Sequence, residues 1–362
     1  MLFLNPDMRY QNCIQQTSRQ GLEKQGVRMS IKLIVGVTYF TKNGKSTFEK
    51  LKAGCKDLII EEKPDDMDLS VWTKEAFECH TPLVFICATG IAVRTIASYV
   101  TNKLSDSPVI VIDELGRNVI PILSGHFGMA NDIAATIAAA LDAGLIITTA
   151  TDINNLFAVD VFARDNGLKI INKDGIKDIS KKVLNGGKIS IKTKIDNNIV
   201  GQVPKEVEII EKGKADVVIS DEATAGFTLI PKRLVLGMGC KKGKSFKELL
   251  TYVTCEYSIE YLRENLYAIS TIDVKENEIG LIKLAQFFGA KFLTYTSKEL
   301  EQINGDFPDS EFVKDTVGVS NVCERAAVLG AGLTSRDLVL EKKADNGITL
   351  AAATRKTIDL KF

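Results

Sequence analysis

Only two histidines occur in the 362 residues, and one of them, His126, sits between Gly125 and Phe127 where a polar loop opens a helix. The positive end of a helix dipole disfavours an imidazolium, so such a ring stays neutral and can take a proton or a hydrogen bond. Packing or capping is the plain alternative, but Ser124 and Gly125 already supply a cap and a flexible joint, which favours chemistry. His80, between Cys79 and Thr81, reads as incidental. Three carboxylates stand beside His126 as candidate bases: Asp113 and Glu114 after the apolar run Val109–Ile112, and Asp152 after Thr151. Helix capping by Asp152 and solvation of Glu114 account for those residues equally well.

Around these groups lie residues suited to an anion. Thr89 and Gly90 open a helix in Ala88-Thr89-Gly90-Ile91-Ala92-Val93-Arg94, and Ser124, Gly125 and Asn131 flank the start of another. Helix starts present N–H groups and a positive dipole. Arg94, one turn into its helix, adds a fork matched to carboxylates, unless it merely lies over its own helix. Arg117 reads as an anion contact or as a turn residue between Val109–Ile112 and Val119–Leu123. Later in the chain, Gly237 to Gly243, with Gly239, Lys241 and Lys242, is a ligand loop or a glycine turn that lets a strand enter a helix. Ser320 and Glu324 read as ligand contacts or as parts of a helix cap and capping box.

Other chemistries are excluded by spacing. Asn43-Gly44-Lys45-Ser46-Thr47 and Lys242-Gly243-Lys244-Ser245 end like a phosphate-binding loop, but Tyr39 and Met238 stand where its first glycine belongs. Gly237, Gly239 and Gly243 miss the dinucleotide fingerprint by one residue. A nucleotide-dependent enzyme is therefore disfavoured. No nucleophile elbow of the Gly-x-Ser-x-Gly type occurs, and nothing has metal-ligand spacing.

Short apolar runs alternate with helical patterns from Ile31 to about Thr151, which predicts a mostly parallel α/β domain over residues 29–151. The loops just described then gather beyond the carboxyl ends of its strands. A small middle α/β region is expected over 152–231, with shorter and more polar strands, and a separate C-terminal α/β domain over 232–362 that restarts at Leu234. Residues 1–28 are polar and aperiodic and read as a flexible extension before a domain start at Met29. The apolar stretch Ile133–Ala150 is broken by Asp142 and Gly144 and carries a helical stripe, so it is core and not a membrane span. The main crevice is expected between the first and last domains, bordered by Arg94, His126, Lys241 and Lys242.

Lysine plus arginine and aspartate plus glutamate both number 46, which argues against binding nucleic acid or a membrane surface through bulk charge. Seven scattered cysteines without a C-x-x-C pair indicate neither a disulfide framework nor a structural zinc site, and fit a reducing cytoplasm.

Seven ordered segments resemble the cobalt-precorrin-5A hydrolase family (CbiG) of anaerobic cobalamin synthesis. They are residues 88–94, Val111 to Arg117, Leu123 to His126, Ile147 to Asp152, Phe157 to Arg164, Leu236 to Gly243 and Val317 to Ala327, spanning roughly Ile31 to Ala353. Where the family usually carries Gly-Gly, this chain has Gly128-Met129. The resemblance implies hydrolysis of a lactone on a ring-contracted cobalt tetrapyrrole, with loss of acetaldehyde to give cobalt-precorrin-5B. It implies a small-molecule substrate that brings its own cobalt, so no protein cofactor is expected. The same loops could instead serve a non-catalytic tetrapyrrole carrier. A homodimer, or transient contact with other enzymes of the pathway, is the partner expectation.

Overall fold

In the computed structural model of this chain, residues 32–102, 105–125, 127–308 and 320–362 are described; the expected extension 1–28 and His126 lie outside them. The first unit contains β1 (Leu33–Tyr39), α1 (Lys42–Gly54), β2 (Leu58–Glu62), α2 (Leu69–Glu78), β3 (Leu83–Ile86), α3 (Thr89–Ile96), β4 (Val109–Ile112), β5 (Asn118–Leu123), α4 (Ala130–Leu141) and β6 (Gly144–Leu145). β3 and β4 are buried along their whole length, as expected of apolar runs in a sheet covered on both faces. The strand order is β2-β1-β3-β4-β5-β6. β1 to β4 are parallel, whereas β5 is antiparallel to β4 and β6 runs with β5.

The next stretch holds α5 (Ala150–Ile153), α6 (Val159–Asp165), β7 (Leu168–Ile171), α7 (Gly175–Leu184), β8 (Ile189–Thr193), β9 (Asn197–Val200), β10 (Val207–Ile209), β11 (Val217–Ile219) and β12 (Thr228–Pro231). Its sheet has the order β10-β8-β11-β12-β7, with β7 antiparallel at the edge. Ile176, Ile179 and Val183 of α7 are buried at helical spacing against it.

A third sheet, β15-β14-β13-β17-β16, follows. Its elements are β13 (Leu234–Cys240), α8 (Phe246–Thr254), α9 (Ile259–Asn265), β14 (Leu266–Ile272), α10 (Ile279–Phe287), β15 (Lys291–Tyr295), α11 (Ser297–Glu301), α12 (Val322–Gly330), β16 (Leu340–Asp345) and β17 (Ile348–Thr354). The last strand, β18 (Ile358–Lys361), leaves this sheet and pairs in parallel with β9. Ile358 and Leu360 thereby join the apolar cluster of the middle region, although sequence order groups them with residues 232–362.

The first and third units are in direct contact. The Gln286 side chain of α10 accepts from Ile34 N at 3.1 Å and donates to Ile34 O at 3.0 Å, so it meets the β1 backbone as a neighbouring strand would. Lys283 pairs with Glu61 at 2.8 Å, Lys32 pairs with Glu276 at 3.2 Å, and Ile34 packs in the same cluster as Leu281 and Leu284. Among the described residues no helix is long and apolar enough to cross a membrane.

Candidate functional site

The reversal of β5 decides where the candidate residues lie. Asp113 leaves the carboxyl end of β4, but Leu123 pairs with Val109 at its amino end. The loop after β5 therefore emerges at the opposite edge of the sheet from Thr89, Gly90, Asp113 and Glu114. At about 3.3 Å per residue the two edges stand roughly 15 Å apart. The expected single edge for all these loops is corrected accordingly: the turn Asp113–Gly116 folds the chain back on itself.

At the amino edge of β4 the structure builds a tight constellation. The Ser124 hydroxyl donates to Asp106 O at 2.8 Å, and Ser124 itself has a left-handed φ of 56°. Gly128 lies so close that a Cβ there would stand 2.5 Å from the Ser124 Cβ. Met129 follows with φ 69°, a conformation that costs a side-chain-bearing residue about 1 kcal/mol and that glycine adopts freely. This is the position at which the chain departs from the Gly-Gly pattern. Such backbone strain next to polar loops is a mark of functional segments. The Asn131 side chain packs on Gly125, where an added Cβ would meet its Oδ1 at 2.8 Å, and its amide donates to Thr149 Oγ1 and Asp152 Oδ2. Ser124, Gly125, Asn131 and Asp152 are thus brought together. His126 lies outside the described residues, and its sequence neighbours belong to this loop.

The α4 start is not an open anion site. The helix begins at Ala130 and not at Phe127, and the N–H groups of Ala130 and Asn131 donate to Ser124 O and Gly125 O, each at 3.1 Å. Next in line, Asp132 pairs at 3.2 Å with Arg164 of α6, whose Nε also donates to Asp165 at 2.7 Å. Burial raises the Asp132 carboxyl above its ordinary range against the pull of Arg164. Burial also opposes the Arg164 charge, and Asp165 and Asp132 more than restore it. Sequence reasoning missed this pair; the acidic residue in the first turn of α4 and the arginine in the last turn of α6 were its only signals.

The carboxyl edge holds the other candidates. Asp113 braces the turn, accepting from the N–H groups of Leu115, Arg117 and Asn118 and from the Asn118 amide. Burial would raise its carboxyl, but these backbone donors outweigh it and hold the group below its usual range. Glu114 accepts from Thr41 at 2.8 Å and Asn43 at 3.3 Å. Arg117 is an exposed turn residue, and Gly116 beside it has φ 70°. Thr89 and Gly90 are exposed at the α3 start, and the Arg94 guanidinium folds back to within 3.5 Å of where a Gly90 Cβ would lie.

In the third unit Gly237 and Gly239 serve packing, whereas Gly243 has φ 82° and open space around it. A Cβ on Gly237 would stand 1.8 Å from Cys323 O and 2.6 Å from Ala327 N, so α12 can lie on β13 only because this residue is glycine. Gly239 likewise sits inside β13, against Thr349. Lys241 lies along Gly347 of the β16–β17 hairpin, and Lys242 is exposed. Ser320 precedes the α12 cap, which is Asn321. Glu324 is fully buried, accepting from Lys342 N at 2.8 Å and the Asn321 amide at 3.0 Å, which makes it a structural carboxylate. A recess of about 210 Å³ between α11 and α12 is lined by Tyr295, Glu299, Ile303 and Leu329, none of them a candidate residue, and is too small for a large ligand.

Among known proteins, residues 71–152 match the family described as Cobalamin synthesis G N-terminal, residues 157–228 match Cobalamin biosynthesis central region, and residues 234–353 match Cobalamin synthesis G C-terminus. A cobalt-precorrin-5A hydrolase of Salmonella typhimurium is 32% identical over 79% of this chain and 86% of its own length. One from Priestia megaterium is 30% identical over 76% of this chain and 79% of its own. A probable cobalt-precorrin-5A hydrolase of Methanocaldococcus jannaschii is 28% identical over 89% and 99%.

Proposed function

The chain belongs to the cobalt-precorrin-5A hydrolase family of cobalamin synthesis, and from that premise we propose that it opens the lactone of cobalt-precorrin-5A. Lactone opening consumes one water and leaves a carboxylate and a hydroxyl. The bond between the hydroxyl-bearing carbon and the macrocycle then breaks: the hydroxyl proton passes to a base, that carbon leaves with its methyl group as acetaldehyde, and the bonding pair stays on the macrocycle, which takes up a proton to give cobalt-precorrin-5B. The cobalt arrives with the substrate, in a protein at work in the cytoplasm.

One observation supports putting the chemistry here: Ser124 and Met129, both with left-handed φ, lie with Asn131 and Asp152 where the Asp132–Arg164 pair ties the first unit to the middle region. In this reading His126 takes the proton of the attacking water, and Asp152, fixed by the Asn131 amide, supplies the negative charge of the site. Asp113 and Glu114 are set aside as bases, because they sit at the far edge of the sheet engaged in turn and loop hydrogen bonds. Thr89, Gly90 and Arg94, the expected anion contacts, follow β3 at that far edge as well.

Mixing the purified protein with cobalt-precorrin-5A should release acetaldehyde. A carrier would bind the macrocycle and release none, and that outcome would overturn the catalytic reading. The hydrolase names of the relatives favour catalysis.

A further inference from the structure

Two cations pack on one tyrosine where the third unit meets the middle region, and a third, Lys361, acts on it through its charge. Tyr267 is the second residue of β14, Lys291 opens β15, Arg355 follows β17 and Lys361 lies in β18. The Arg355 guanidinium carbon stands 3.7 Å from the Tyr267 ring centroid, and Lys291 Nζ stands 4.9 Å from it. Lys291 donates to the Tyr267 hydroxyl at 3.2 Å and to Asp165 O at 2.7 Å. Arg355 is only 7% exposed, and among the described residues its side chain makes one hydrogen bond, a long 3.5 Å contact to Lys232 O.

The neighbouring carboxylates are engaged elsewhere. Asp165 holds Arg164, Glu264 holds Lys169 and Asp221 holds Arg233, while Asp359 accepts from the Asn198 amide and acts on Arg355 and Lys361 only from beyond ion-pair distance. Among the described residues, Lys291, Arg355 and Lys361 have no carboxylate within ion-pair distance. Burial followed by the neighbouring Lys291 charge lowers the pKa of Lys361. Cations withdrawn from water without a counter-ion are costly, and a cluster of them is stable chiefly when an anion joins it.

We propose that Lys291, Arg355 and Lys361, arranged around Tyr267, bind a peripheral carboxylate of the tetrapyrrole substrate. The inference rests on the substrate class proposed above and adds the anchor that holds it. The position fits: Lys291 contacts Asp165, Asp165 contacts Arg164, and Arg164 contacts Asp132 beside Asn131, so the cluster and the strained loop lie on either side of the α6 carboxyl end. A broad macrocycle laid across that end can put its lactone at the loop and a side-chain carboxylate among the cations.

The full-length protein and its Lys361→Gln and Lys291→Gln variants test this with cobalt-precorrin-5A as substrate. The expected result is a KM raised about 10-fold or more in each variant, with the loss falling on KM and not on kcat, since a charge-assisted contact to the substrate is removed. Lys361→Arg, which keeps the charge, should restore the KM and controls for folding. Succinate should compete with substrate in the wild type and lose that effect in Lys361→Gln. Unchanged KM values in both Gln variants, beside an active wild type, would overturn the anchor. A wild type that releases no acetaldehyde would instead sink the hydrolase reading; the anchor then stands if succinate raises the melting temperature of the wild type but not of Lys361→Gln, and falls if it does neither.

Discussion

Replacing His126 with alanine is expected to lower acetaldehyde release by about 10²–10⁴-fold, the usual loss when a general base is removed. Asp152→Asn should cause a loss in the same range, because the carboxylate fixed by Asn131 would no longer carry a charge. Asp113→Asn is the informative contrast. Its carboxyl is held low by turn N–H groups, so its stabilising effect exists above the unfolded-state pKa and fades as pH falls through the depressed folded value. That variant should lose about 1 kcal/mol of stability at neutral pH and retain turnover. Urea unfolding and steady-state rates measured on all three proteins separate the roles. A His126→Ala protein with near wild-type turnover, beside an inactive Asp152→Asn, would move the base to Asp152.

The second large effect is structural. Gly237→Ala would drive a methyl group to 1.8 Å from Cys323 O and 2.6 Å from Ala327 N, both backbone atoms of α12. The helix must move off β13 to admit it, uncovering a cluster that includes Val235, Ala268, Ala326 and Ala327. Overpacking of this kind costs about 3 kcal/mol or more, enough to lower the urea midpoint of the third unit plainly. If instead the variant unfolds like the wild type but loses substrate affinity, Gly237 belongs to a ligand loop after all.

Much of the architecture was legible because buried parallel strands announce themselves. The unbroken apolar runs at β3, β4 and β13 and the stripe of α7 follow directly from side-chain periodicity. The Gly125–Asn131–Asp152 grouping was legible only as nearby motifs, since a side-chain contact between helix starts depends on how the helices pack. The sheet edge was misplaced for a definite reason. Asp113 to Arg117 carried the marks of a turn, but the sense of β5 decides to which side the next loop returns, and a short apolar run does not encode its own direction. Gly237 was ambiguous in the same way: its meaning depends on a helix that crosses it nearly ninety residues later. The cation cluster at Tyr267 assembles from four distant strand ends and leaves no local signature.

The central claim is that water opens the lactone on this protein. The most direct test is a single turnover of cobalt-precorrin-5A in heavy-oxygen water, with mass spectrometry of the macrocycle and assay of acetaldehyde. Attack of water at the acyl carbon predicts one heavy oxygen in the newly formed carboxylate and one equivalent of acetaldehyde. Recovery of the macrocycle bound, unlabelled and with its two-carbon fragment intact would contradict the account.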